Sequence, residues 1–377
     1  MRLNVSRPLL FSLLTTALCS VSGGRAEAMP SHAAILWYAA RSPEARANWL
    51  FGDDTCAVSD RTCNRCINNV ASQFGNITDD PSQKGVKWTE WIYPPEGLDP
   101  YIGGSIDCGP FACHYQGFAR VQRGGSVEFL GFSFGPSEPG LVGIAHEPTP
   151  GNWEVQHLYA GADGHPSGMF ALGAYFGFAN GDNRLQLLDV EDANWRLADQ
   201  PSYEMPKDDP NELGIDTAGG GIAMARLRGG GYLLTVEQAG DRQRVDFFFI
   251  DGDLEAPARK QYLGGTPAPS SNNMSLITEC GTGHLYLIQI EGTDLFLEFG
   301  SSRWVLAKID WGFEDGPHRV HVDEKDDWTN SAGYCWPRGG ASATALEDGR
   351  LEFLSVQRDI GSGFVPGDLT SFCIARP

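Results

Sequence analysis

Cationic side chains are scarce in this chain. Lys and Arg number 28 against 48 Asp and Glu, a net charge of −20. Such a surface repels phosphate backbones and anionic lipid, so neither nucleic acid nor membrane is expected as a partner. Past the N-terminus no apolar run approaches the 18 or so residues of a membrane-spanning helix. No stretch keeps a 3.6-residue apolar period long enough for a bundle helix, which argues against an all-helical fold. The glycine-rich phosphate loop with its Lys-Ser/Thr is missing, as are HExxH and a calcium-loop pattern. No cofactor and no resident metal are therefore expected. Low-complexity segments are absent as well.

The chain does carry a targeting pattern at its start. Arg2 and Arg7 precede a largely apolar run from Leu9 to Val21, and Ala26-Glu27-Ala28 is a small-residue cleavage site. This reads as a signal peptide over 1–28, with a secreted or periplasmic product. Loss of Arg2, Arg7, Arg25 and Glu27 would move the net charge from −20 to about −22. Eight cysteines would remain: Cys56, Cys63, Cys66, Cys108, Cys113, Cys280, Cys335 and Cys373. An even set in an exported chain points to disulfides whose pairing the sequence leaves open. Cys63-x-x-Cys66 and Cys108-x4-Cys113-His114 are the alternative, a zinc site, although they match no closed zinc module. Asn76-Ile-Thr and Asn273-Met-Ser have the glycosylation spacing.

The organising feature is a repeat. A short apolar strand, a glycine turn and a second apolar strand recur about every 50 to 65 residues. The copies begin at His114-Tyr-Gln-Gly-Phe-Ala-Arg, His165-Pro-Ser-Gly-Met-Phe-Ala, Gly221-Ile-Ala-Met-Ala-Arg, Asn273-Met-Ser-Leu-Ile and Gly340-Ala-Ser-Ala-Thr. Two further strand candidates follow each of the first four copies. Four strands per repeat make one propeller blade, so the expectation is an all-β chain forming a five-bladed β-propeller, with six blades as the alternative. The expected organisation is a strand within 29–50 closing the last blade through Ala33–Ala40, a cysteine-rich excursion over 51–110 with a short helix near Cys63 to Phe74, and blades over 111–377. Asp323 to Asp327 reads as a charged surface loop. A soluble monomer is expected.

Candidate sites follow from position. Inner strands of a propeller line its axis, so polar residues at equivalent places in successive copies converge. His114, Gln116, His165 and Asn273 begin their strands, and Arg120 and Arg226 lie within or at the end of theirs. Together they are the expected ligand-binding set, suited to a small molecule or glycan. The competing reading is that these groups satisfy one another and channel water. An enzyme, a hydrolase or lyase with His114 or His165 as general base, is the alternative function. Gly131-Phe-Ser133-Phe-Gly135 matches the nucleophile-elbow string, but Ser133 sits in a strand pattern with no helix after it, so it is not expected to be catalytic.

The strings at 114–120, 165–168 and 221–227 resemble a group of secreted bacterial β-propeller proteins whose blades open with His-x-Gln-Gly-x-x-Arg and His-Pro-Gly-Gly-type motifs. Ser167 stands where that group more often has a second glycine. The resemblance spans about 110–360 and implies the propeller fold and export. It implies no particular activity.

Overall fold

The computed structural model describes residues 51–57, 59–76, 90–92, 114–122, 128–135, 140–149, 152–162, 167–179, 184–192, 203–204, 221–238, 244–252, 254, 259–267, 271–292, 302–312, 319–330, 340–356 and 372–375. The signal segment, Ala33–Ala40, Cys108, Cys113, His165 and Cys335 lie outside them.

A helix, α1 (Val70–Asn76), and a short strand, β1 (Glu90–Ile92), come first. Strands β2 (His114–Gln122), β3 (Glu128–Gly135), β4 (Gly140–Thr149) and β5 (Asn152–Ala162) form one antiparallel meander. The second contains β6 (Ser167–Leu172), β7 (Tyr175–Ala179), β8 (Arg184–Asp189) and β9 (Tyr203–Glu204). The third contains β10 (Ile222–Arg226), β11 (Tyr232–Gln238), β12 (Arg244–Asp251) and β13 (Arg259–Pro267). The fourth contains β14 (Ser271–Thr278), β15 (Leu285–Gly292), β16 (Ser302–Gly312) and β17 (Arg319–Asn330). In the fifth, β18 (Ala341–Ala345), β19 (Leu351–Val356) and β20 (Phe372–Ala375) are joined at the edge by β1.

The first strand of each meander meets the first strand of the next: β2 lies against β6, β6 against β10, β10 against β14, β14 against β18, and β18 back against β2. This is a propeller-like, all-β arrangement. The inner hairpins are those that the repeat marked. They are largely apolar on both faces because neighbouring sheets cover both, which removes the regular polar alternation of a half-exposed strand. Ile222 to Ala225 and Leu233 to Val236 are buried throughout. Glycine permits the closest approaches between and within sheets. A Cβ on Gly131 would come within 2.6 Å of the Met169 sulfur, and one on Gly177 within 2.1 Å of the Phe170 ring.

Four expectations are corrected. The fifth sheet is closed from the N-terminal side, but by Glu90-Trp91-Ile92, paired with Phe372 to Ile374, in the place expected for Ala33–Ala40. Three residues are too few to show a strand period, which hid this element. The region 51–110 is not wholly an excursion. Ile67, Val70 and Phe74 are fully buried, and Phe74 and Trp304 each meet the Phe353 ring edge-on. The helix begins at Val70, later than expected. Asp323 to Asp327 belongs to β17, the outer strand of its sheet, where charges discourage pairing with another chain. Ser133 lies within β3, paired on both sides with Gly117 and Val142, which is no elbow.

Candidate functional site

Residues 51–76 form a plug over one end of the ring. The chain threads across the turns that follow the inner strands. The Gly52 N–H donates to the Gly283 carbonyl at 2.8 Å, and the Asp53 N–H to that of Arg226 at 3.0 Å. The Arg61 carbonyl accepts from the Ala174 N–H at 2.7 Å. Asn64 donates to the Ala171 carbonyl at 2.9 Å and accepts from the Gly173 N–H at 2.7 Å. Gly173 has φ 58°, and a Cβ there would stand 2.1 Å from the Arg61 carbonyl oxygen. Ile67 exchanges backbone bonds with Thr278 and Cys280, each at 2.9 Å. Gln73 accepts from the Leu351 N–H at 2.7 Å. The turns between the first two strands of the second, third, fourth and fifth sheets are thus all held by one segment.

Disulfides brace it. Cys56 is bonded to Cys63 within the segment, and Cys66 to Cys280 in the β14–β15 turn. That fulfils the expectation of a bridge within 51–113 and assigns these four cysteines to disulfide rather than to zinc. Among the described residues no group of three or more His, Cys, Asp or Glu side chains is gathered as for a metal ion.

Ion pairs complete the attachment. Arg228 pairs with Asp54, Arg61 with Asp189, and Arg65 with Glu347 at 2.9 Å. Arg226 pairs with Asp60, and its Nε lies 3.2 Å from Asp53. The Thr62 backbone N–H, against an opposing effect of partial burial, and the Arg226 guanidinium hold the Asp60 carboxyl below its usual range. Burial works against the Arg226 charge, but Asp60 and Asp53 outweigh it and keep its pKa raised. A carboxylate with a depressed folded-state pKa stabilises above its unfolded value, near 4, and that contribution disappears as pH falls through the folded value. Acidification below about pH 4 should therefore loosen the plug. The expected result is faster proteolysis within 51–76 at pH 3 than at pH 6 under an acid-active protease, with Asp60→Asn already fast at pH 6. An unchanged Asp60→Asn pattern would dismiss this anchor.

Beneath the plug lies a cavity of about 50 Å³ on the axis. Every inner strand contributes to its wall, through Val121, Ala171, Met224, Ile277 and Ala343, and Cys63 and Asn64 close it from the plug. A second, open concavity of about 550 Å³ lies outside the plug, between Asp54, Arg65 and Asn68 on one side and Glu347 and Asp348 on the other.

No protein-family model matches the chain, and no curated protein resembles it in sequence. Among the solved structures similar in outline is the β-propeller domain of Cps50 (Swd1) from Myceliophteria thermophila. It shares 12% identity with a TM-score of 0.31, over 70% of this chain and 99% of that domain. Agreement this loose adds nothing to the sheet order, from which the propeller-like fold is read.

The six expected ligand-binding residues separate into groups. His114 and Gln116 are in β2, at its first residues, and Asn273 is near the start of β14. Asn273 shares the strand face of Ser275 and Ile277, which line the axial cavity, and it is buried. Its burial also removes it as a glycosylation acceptor. Arg120 reaches the same cavity, but its guanidinium is paired with Glu352. Arg226 is at the far end of its strand. Gly221, at the near end of the same run, abuts Asn273, so five residues of extended chain, roughly 16 Å, separate Arg226 from Asn273.

Sequence reasoning passed over two features of the mouth where the inner strands begin. The ladder is interrupted there in three sheets, between Tyr115 and Gly117, Ser167 and Met169, and Ser271 and Asn273. The Glu237 carboxylate, buried in β11, accepts from the Gly221 N–H at 3.1 Å. The lone acid ending the apolar run Tyr232 to Val236 was its visible sign. The plug residues Asp53, Asp60 and Asn64 gave none, because their partners are more than 100 positions away.

Proposed function

We propose that this chain is an exported five-bladed β-propeller that binds a small hydroxyl-rich or anionic molecule, such as a saccharide, at the mouth where its inner strands begin. The observation that carries the reading is the plug. With one end of the axis occupied by residues 51–76, the other end is the one left for a ligand. The 50 Å³ beneath the plug cannot admit a sugar ring, so the ligand sits at the mouth rather than deep in the channel. The interrupted ladders at the entries of β2, β6 and β14 support the same place, since bulges re-aim side chains and cluster beside sites. Export rests on the N-terminal pattern and agrees with the two disulfides. Among the described residues no helix is long and apolar enough to cross a membrane.

His114, Gln116, His165 and Asn273 are the ligand-binding group in this reading. Arg226 belongs to the plug, and Arg120 to the interior. In this reading the two histidines would supply local donors on an otherwise acidic protein, suited to charge-assisted bonds. Screening the purified protein against glycans and small organic acids should identify a ligand. His114→Ala and His165→Ala should each weaken it about 10- to 100-fold, the value of one such bond, with the melting temperature unchanged. A ligand bound equally by both folded variants, and weakened instead by Glu347→Ala, would move the site to the groove outside the plug.

A further inference from the structure

The axial cavity lies too deep for that ligand, yet its wall is not apolar throughout. Ser342, in β18, is 4% exposed and lines the cavity. Its Oγ has no hydrogen-bond partner among the described residues. A buried hydroxyl without a partner is costly, and native interiors rarely leave one so. Ser275, from the facing β14, lines the same space. Its Oγ accepts from the Ala343 N–H at 2.9 Å, which leaves its own hydrogen free to donate. Ser275 thus bonds the backbone next to Ser342, and both serines line the one cavity at the β14–β18 junction.

The charge in the wall is balanced. Two cations line it, Arg120 and Arg65, and each is paired with a carboxylate, the fully buried Glu352 and the exposed Glu347. The Asn64 amide is already engaged by Ala171 and Gly173. What is left unmet among the described residues is the buried Arg65 Nε–H, which needs an acceptor, and the serine hydroxyls, which a group able to both donate and accept satisfies. A space of about 50 Å³ holds a few water molecules at roughly 10–15 Å³ of such volume each.

We propose that the axial cavity is a specific water site, in which ordered water bonded to Ser342 Oγ and Ser275 Oγ joins β14 to β18 beneath the plug. The proposal is independent of the ligand site at the other mouth.

High-resolution crystals of the mature protein test it. Density for discrete water within hydrogen-bond distance of Ser342 Oγ is expected, and xenon under pressure should leave the cavity unoccupied, since xenon enters dry apolar space. In Ser342→Ala crystals that water should lose occupancy or move. An empty cavity in the parent, a bound xenon, continuous density of an organic molecule, or water unmoved in Ser342→Ala would each overturn the assignment. Should the variant fail to crystallise, the parent density and the xenon result decide.

Discussion

Replacing Arg120 by methionine should destabilise the protein by about 3–5 kcal/mol, the cost of leaving a buried charge without its partner. The side chains of Arg120 and Glu352 are 6% and 0% exposed, and they join β2 to β19 across the junction of the first and fifth sheets. That junction is where the ring meets itself, so the pair acts between elements more than 200 residues apart. Methionine fills much of the arginine volume, and the loss would come from the stranded Glu352 rather than from a void. Arg120→Met combined with Glu352→Leu should recover most of the loss, since an apolar pair avoids desolvating either charge. Urea unfolding of the parent, both single variants and the double variant gives the coupling. Independent, additive losses would show that the two side chains do not act together. If Arg120 instead served a ligand, its replacement would spare stability and lower affinity.

The inner hairpins were legible because burial on both faces leaves a continuous apolar string, and because glycine turns mark its end. Tyr232 to Val236 after Gly229-Gly230-Gly231 is such a case. The outer strands were harder to see. β1 is three residues long, and the charged β17 imitates a loop. The axial face was legible at Asn273, because every second residue of an inner strand points the same way. The roles of Arg120 and Arg226 were not. Each is decided by a carboxylate distant in sequence, Glu352 for one, Asp53 and Asp60 for the other. A repeat places a residue around the axis, but it does not say which arginine has already spent its hydrogen bonds on a neighbour.

Two disulfides hold the plug in place, and they should differ in worth. Cys56 and Cys63 are 7 residues apart, whereas Cys66 and Cys280 are 214 apart. In the chain-entropy account a cross-link stabilises by restricting the unfolded chain, increasingly so with the logarithm of the loop it closes. The short bridge should then contribute about 2–3 kcal/mol and the long one about 5 kcal/mol. Paired replacement, Cys66→Ser with Cys280→Ser, avoids a stray thiol and should cost roughly 3 kcal/mol more than Cys56→Ser with Cys63→Ser. The long bridge also fixes the plug to the fourth sheet beside the Ile67 backbone pairing. Its removal should therefore raise cleavage within 51–76 in limited proteolysis, while the inner hairpins stay protected. Equal losses from the two replacements would mean that the unfolded chain is compact enough for loop length not to matter. Unaltered proteolysis of the Cys66 and Cys280 pair would mean that the hydrogen bonds to the four turns and the burial of Val70 and Phe74 suffice to seat the plug.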